Sequence, residues 1–214
     1  MSLEEKLADG LEEMGLHLDA ATQSSLLNYV ALMQKWNKVY NLTAVRDPQK
    51  MIIQHLLDSL AVLPHLVGRR IIDVGTGPGL PGIPLALANP ALELTLLDSN
   101  HKKTSFLRQV CLELNLNNVT VVCERVEAWR PTEKYDVVIS RAFSDLAEFV
   151  SLALYLCSDT GLMLAMKGIY PHEELTRLPA TVELQGVESL KVPGLDAERH
   201  LVLLRPTKME ARVG

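Results

Sequence analysis

Apolar residues recur at three- and four-residue steps through the first third of the chain, then give way to short continuous runs. Leu3, Leu7, Leu11 and Met14 mark one amphipathic helix, and Leu26, Val30, Met33, Trp36 and Tyr40 mark a second after the polar stretch Thr22 to Ser25. A third is expected to start at Asp47-Pro48, with aspartate as the cap and proline at the first helical position. It continues through Ile52, His55, Leu56, Ser59, Leu60 and Leu63 until Pro64 and Gly68 close it.

From Arg70 the period changes. "RIIDVG", "LELTLLD", "VTVVCE", "YDVVIS" and "GLMLAMK" read as strands, with "LPGIPLALANP", "KKTSFLRQVCLELNL" and "LAEFVSLALYLC" as helices among them. This alternation predicts an α/β fold whose parallel sheet is covered on both faces. "TVELQGVESLKV" and "RHLVLLRP" predict a closing pair of strands. The expected organisation is an N-terminal helical extension at 1–65 packed on a sheet domain at 66–206, followed by a tail at 207–214.

Composition narrows the class. A chain of 214 residues, 48% hydrophobic, can bury one substantial core. No run approaches the roughly 20 apolar residues of a membrane helix, and Met1 to Leu18 lacks the apolar segment of a secretory leader. No membrane contact and a cytoplasmic location are therefore expected. A net charge of −5 argues against coating nucleic acid through bulk positive charge, which leaves local basic surfaces. Cys111, Cys123 and Cys157 sit at unrelated spacings that give neither a disulfide framework nor a zinc set, so packed thiols and no metal are expected.

The sharpest break in the pattern is "DVGTGPGLPG", Asp73 to Gly82. It follows the first strand and opens a helix, where open parallel sheets bind ligands. A second acid, Asp98, ends the next strand 23 residues after Gly75, a spacing suited to a carboxylate accepting from ribose hydroxyls. Gly77, Gly79 and Gly82 also match the dinucleotide spacing, so a nicotinamide-dependent oxidoreductase is the competing enzyme reading. Pro78 and Pro81 oppose it by removing two N–H groups a pyrophosphate would need, and Asp73 opposes it by charge. S-adenosylmethionine carries a sulfonium and an ammonium and no phosphate, so the loop suits adenosine joined to a cation.

The chain resembles the glucose-inhibited division protein B family. The likeness rests on "DVGTGPGLPGIPLA", "LLDS" at Leu96 to Ser99, "HLLDS" at His55 to Ser59, "WNKVYNLT" at Trp36 to Thr43, "ISRA" at Ile139 to Ala142, "MKG" at Met166 to Gly168 and "ERHLV" at Glu198 to Val202. It implies a Rossmann-like class I S-adenosylmethionine-dependent methyltransferase sheet. It further implies methylation of nitrogen-7 of guanine 527 in bacterial 16S rRNA. The cofactor contacts it implies are Gly75, Gly77, Leu80, Asp98, Val126, Glu127 and Arg141, beside the loop acid Asp73. Read alone, Val126 could pack on adenine and Glu127 accept from its amino group, or Glu127 is a solvated loop acid. Arg141, a cation at the end of a strand, needs a carboxylate, phosphate or guanine partner.

Chemistry follows from what is missing. Amino-group methylation in this fold commonly uses Asn or Asp, two prolines and an aromatic after the fourth strand, where this chain has Ser140-Arg141-Ala142. Carbon-5 methylation needs a nucleophilic cysteine, which none of the three fits. Guanine nitrogen-7 carries a free lone pair, so no general base is required and no certain catalytic residue is expected. His55, Asp58 and Ser59 share a helical face, either as a buried polar cluster or, with Arg141, as the lining of a cofactor or base pocket. Lys167, Arg199 and His200 are the expected substrate contacts, while Lys102 and Arg108 read as solvated helix positions. An acidic protein of this kind should select by shape and act, as a monomer, on 16S rRNA in the assembled small subunit. The alternatives are another RNA or a small molecule as methyl acceptor.

Overall fold

The computed structural model describes residues 1–207. Helix α1 (Leu3–Glu13) begins in a capping box, Ser2 accepting from the Glu5 amide while the Glu5 carboxylate accepts from the Ser2 amide. Helix α2 (Ala20–Tyr40) starts earlier than its polar stretch suggested, because Asp19 supplies the cap to Thr22 N–H at 2.7 Å. It stops at Asn41, whose φ of 49° is left-handed.

The third helix starts at Pro48 behind its Asp47 cap, as the sequence suggests, but its winding changes. Helix α3 (Pro48–Met51) passes into a π-helical segment, Ile52–Leu57, and then into α4 (Asp58–Leu60). The regular period that placed His55, Asp58 and Ser59 on one face therefore does not hold through this segment. All three are nevertheless buried, and π-helical turns of this kind are frequent at functional sites.

Strands β1 (Arg70–Val74), β2 (Glu93–Leu97), β3 (Val119–Val122), β4 (Tyr135–Ser140), β5 (Cys157–Lys167), β6 (Val182–Ser189) and β7 (His200–Pro206) form one sheet in the order 3-2-1-4-5-7-6. The first five are parallel, and β7 is antiparallel to both β5 and β6, which is the expected closing pair. Helices α5 (Gly82–Ala88), α6 (His101–Glu113) and α7 (Leu146–Ala153) connect them, with a short α8 (His172–Leu175) that the sequence pattern did not reveal. The stretch "LYLC" departs from expectation: α7 ends at Ala153, and Cys157 already pairs with Tyr135 as the first residue of β5.

Alternate strand residues bury on opposite faces. Ile71, Leu94, Leu96, Val137 and Ile139 join α1, α2, α5 and α6 in one apolar cluster, while Ile72, Val74, Leu97 and Val138 pack with α7 in another. The N-terminal helices thus share a core with the sheet. Successive strands are laid down outward in opposite directions from the parallel β1–β4 pair, and the loops leaving these two strands part there. Such a switch point is where open α/β sheets hold ligands. Among the described residues no helix is long and apolar enough to cross a membrane, and no group of three His, Cys, Asp or Glu side chains is placed to hold a metal. Apart from Thr207, the expected tail lies outside the described residues.

Candidate functional site

The glycine loop sits at the switch point. Gly75 has a φ of 68°, and a Cβ there would lie 2.8 Å from the Ala142 methyl, so the loops after β1 and β4 touch only because this side chain is absent. A cleft of about 290 Å³ opens beside them, bounded by Gly75, Asp98, Lys103, Val126, Glu127, Ala142 and Phe143. Tyr155, whose hydroxyl donates to the carbonyls of Val126 and Trp129, pins the turn that carries Val126 and Glu127. Asp98 accepts the Gly77 amide at 2.9 Å and the Asn100 amide at 2.8 Å, which fixes its carboxylate at the cleft wall.

Every non-proline amide from Gly75 to Ile83 is donated within the protein. Those of Gly75 and Thr76 go to Leu97 O, Gly77 to Asp98, Gly79 and Leu80 to Thr76 O, Gly82 to Asp73 and Ile83 to Gly79 O. A pyrophosphate would find no free backbone N–H in this loop, which counts against the nicotinamide reading. The cleft offers a nucleoside the glycine backbone, the apolar Val126 and a fixed carboxylate at Asp98.

Asp73 lies below the loop rather than at the cleft surface. It is 0% exposed, and one carboxylate oxygen accepts both the Thr76 hydroxyl at 2.6 Å and the Gly82 amide at 2.9 Å. Burial pushes its pKa up to about 6, against the lowering effect of those two donors and of Arg141. A carboxyl raised in the folded state contributes stability at low pH that is lost as pH rises from about 4 through 6. Asp73→Asn keeps the accepting oxygen and removes the charge. Denaturant titrations should find the two proteins converging toward pH 4 and the variant ahead by on the order of 3 kcal/mol above pH 7. A gap that does not change with pH would contradict this account.

A second cavity of about 330 Å³ adjoins the first, lined by Gln54, His55, Asp58, Arg141, Lys167, Gly168 and Arg199. Consecutive residues separate the two: Ala142 faces the first and Arg141 the second. Asp58, 1% exposed, holds two cations, accepting from Arg199 Nε at 2.7 Å and from Arg141 Nη1 at 3.2 Å. Arg141 Nη1 also donates to Gln54 O, and Arg199 Nη1 to Glu198 O. Among the described residues, Arg141 Nε and Nη2 and Arg199 Nη2 have no protein acceptor, so the pair retains forks for an anion or a base edge.

His55 is neutral in this setting. Burial holds its imidazole down to about 4, and Nε2 shares a hydrogen bond of 2.9 Å with the Thr43 hydroxyl. Thr43 is fixed in turn by Asn37, whose side-chain amide exchanges two hydrogen bonds with its backbone. The "WNKVYNLT" stretch thus braces the cavity wall.

Other expected contacts fall elsewhere. Lys167 lines the second cavity, but its ammonium is occupied by Phe143 O at 3.3 Å, Ser144 O at 3.0 Å and the Glu174 carboxylate at 2.7 Å. It is a latch between β5 and the loop after β4, not a free cation. His200 lies outside the cavity, with Nδ1 3.2 Å from Gly168 O. Gly77 and Leu80 do not line the first cleft; Leu80 is buried in the core. Arg141 lines the second cavity and not the first. Tyr29 of α2 was not foreseen, yet its hydroxyl donates to Pro78 O at 2.7 Å and ties the helical extension to the glycine loop. Its only signal was a tyrosine on an apolar stripe, where a buried hydroxyl needs a partner.

Comparison with known proteins gives a consistent picture. The Ribosomal RNA small subunit methyltransferase G of Laribacter hongkongensis is 57% identical over 204 residues, covering 95% of this chain and 99% of that one. Its namesake in Neisseria meningitidis serogroup B is 54% identical over 205 residues, with the same coverage. Among solved structures, TrmN from Thermus thermophilus superposes with a TM-score of 0.55 at 19% identity, covering 70% of this chain and 47% of that one. P. horikoshii TYW2 in complex with MeSAdo also gives 0.55, at 12% identity over 69% of this chain and 61% of that one. These two share the class I methyltransferase fold. The family model described as rRNA small subunit methyltransferase G matches residues 22–202, and with it the chain belongs to that family, GidB.

Proposed function

We propose that this protein transfers the methyl group of S-adenosylmethionine to nitrogen-7 of guanine 527 in bacterial 16S rRNA, acting as a monomer on the assembled small subunit in the cytoplasm. The observation that carries this reading is the abutment of a phosphate-free nucleoside cleft and a basic cavity across Arg141 and Ala142. A methyl donor in the first cleft and a base in the second would meet at that boundary.

The bound cofactor supplies an electrophilic methyl group. Asp98 would accept from its ribose, Val126 would pack on its base, and the 126–127 backbone would read its amino edge. Arg141 and Arg199, held together by Asp58, would engage a phosphate or the O6 edge of guanine and leave nitrogen-7 facing the boundary. No protein base is needed, since nitrogen-7 loses no proton. Alignment of nucleophile and methyl carbon then supplies most of the acceleration, an effect that reaches roughly 7–11 kcal/mol in well-oriented systems.

Mass spectrometry of rRNA from cells lacking this protein should show one 7-methylguanosine missing, restored by the wild-type gene. Because His55 is already neutral above about pH 4 and Asp73 ionises near 6, the single-turnover rate should be flat between about pH 7.5 and pH 9. Unchanged 7-methylguanosine in the deletion strain would refute the assignment. A rate that follows one ionisation within that window would refute the base-free mechanism.

A further inference from the structure

Beyond the basic cavity lies an exposed apolar surface that the methyl-transfer chemistry does not use. Gly168 forms part of the cavity wall, and the next two residues are Ile169, 78% exposed, and Tyr170, 37% exposed. Single exposed apolar residues are ordinary, but here two stand side by side at the lip of a cationic pocket. The tyrosine ring is held in place: His172 lies 4.4 Å away centroid to centroid, and His200 meets it edge-on at 5.5 Å. His200 is itself tethered to Gly168 O, so the ring, the imidazole and the cavity wall form one connected unit.

The segment behind the ring is also fixed. The Lys167–Glu174 ion pair closes the turn that carries Tyr170, and Glu174 additionally accepts the Leu146 amide. Lys167 donates to Phe143 O, and Phe143 borders the nucleoside cleft. A pre-ordered aromatic ring next to arginines with free forks is the combination that takes unpaired nucleotides, with phosphates on the cations and a base on the ring.

We propose that Tyr170, flanked by Ile169, is the stacking platform for an unpaired rRNA base adjacent to the target guanine. This rests on the rRNA reading above and adds a substrate-positioning residue to it. Stacking anchors the strand so that the target base alone enters the cavity between Arg141 and Arg199. A ring in this role contributes to subunit capture more than to the chemical step.

Steady-state methylation of small subunits tests it. Tyr170→Ala should raise KM about tenfold while kcat and S-adenosylhomocysteine binding stay within about twofold of wild type and the melting temperature within about 3 °C. Tyr170→Phe should restore KM, because it keeps the ring. Reconstituted subunits with an abasic site at one nucleotide flanking the target should raise the wild-type KM by a similar factor, with no further rise for Tyr170→Ala. A KM for Tyr170→Ala within twofold of wild type would overturn the proposal, as would equal losses in Tyr170→Phe and Tyr170→Ala. So would a wild-type KM indifferent to abasic sites on both sides, which would put a protein or the RNA backbone on the ring. A wild-type chain that transfers no methyl group to the subunit would instead remove the underlying reading, and the proposal with it.

Discussion

Asp58→Ala should lower kcat/KM for the small subunit by about 100-fold while leaving S-adenosylhomocysteine affinity near that of the wild type. The carboxylate touches neither cavity's expected ligand through a donor of its own. It acts by holding Arg141 and Arg199 at 3.2 and 2.7 Å, on strand ends that are not neighbours in the sheet. Without it, two guanidinium groups in one small cavity repel each other and turn outward toward solvent, which both can reach. Misplacement of positioning groups by about 1 Å is enough for a loss of that size. Stability should fall less steeply than for a fully buried pair, because the arginines can rehydrate; the loss is on the order of 2 kcal/mol. Asp58→Asn keeps one acceptor and should fall between. Subunit methylation kinetics alongside denaturant unfolding measure both effects, and a kcat/KM within threefold of wild type would rule out the clamp.

Much of this architecture was legible in the chain because its determinants are local. The strands announce themselves as Val/Ile/Leu runs between turn residues, and two late apolar stretches announced a closing pair, whose antiparallel direction came from the structure. Boundaries moved where a competing local group decided them. Asp19 rather than the Thr22–Ser25 stretch caps α2, and Cys157 leaves the helix because it pairs with Tyr135 on β4. The π-helical segment at Ile52–Leu57 carries no residue that announces it. It lies against α1, where the Leu57 methyls crowd Gly10, a long-range packing relation that periodicity does not encode.

The site divides along the same line. Gly75 and Asp98 were readable because a loop motif and the following acid have fixed separations, and the structure puts both on the cleft. The partners of charged groups were not readable. Lys167, Arg141 and Arg199 look alike in sequence, each a cation at a strand end, yet one is saturated by Glu174 and two carbonyls while the other two share Asp58 across 83 and 141 residues. Asp73 was expected to offer charge to a ligand; one of its oxygens accepts from the loop at Thr76 and Gly82, and the other is buried without a protein partner. Charge type is written in the chain; which charge is left over depends on tertiary pairing.

Asp98→Ala should weaken S-adenosylhomocysteine binding by about two to four orders of magnitude, the largest effect expected of any single change in this protein. A carboxylate offers about four acceptor positions, and two of them are taken by the Gly77 and Asn100 amides. The remaining two suit the pair of ribose hydroxyls, each a hydrogen bond to a charged acceptor contributing about 1.5–3 kcal/mol. Part of the loss would come from the loop, since Gly77 would lose its tether as well as the ligand losing its acceptor. A cofactor analogue lacking the 2′-hydroxyl separates the two contributions. Wild type should lose affinity for it, whereas Asp98→Ala should bind the analogue and the parent equally, because the acceptor that distinguishes them is gone. Calorimetry that finds the variant within tenfold of wild type, or still sensitive to the 2′-hydroxyl, would place the ribose somewhere other than against Asp98.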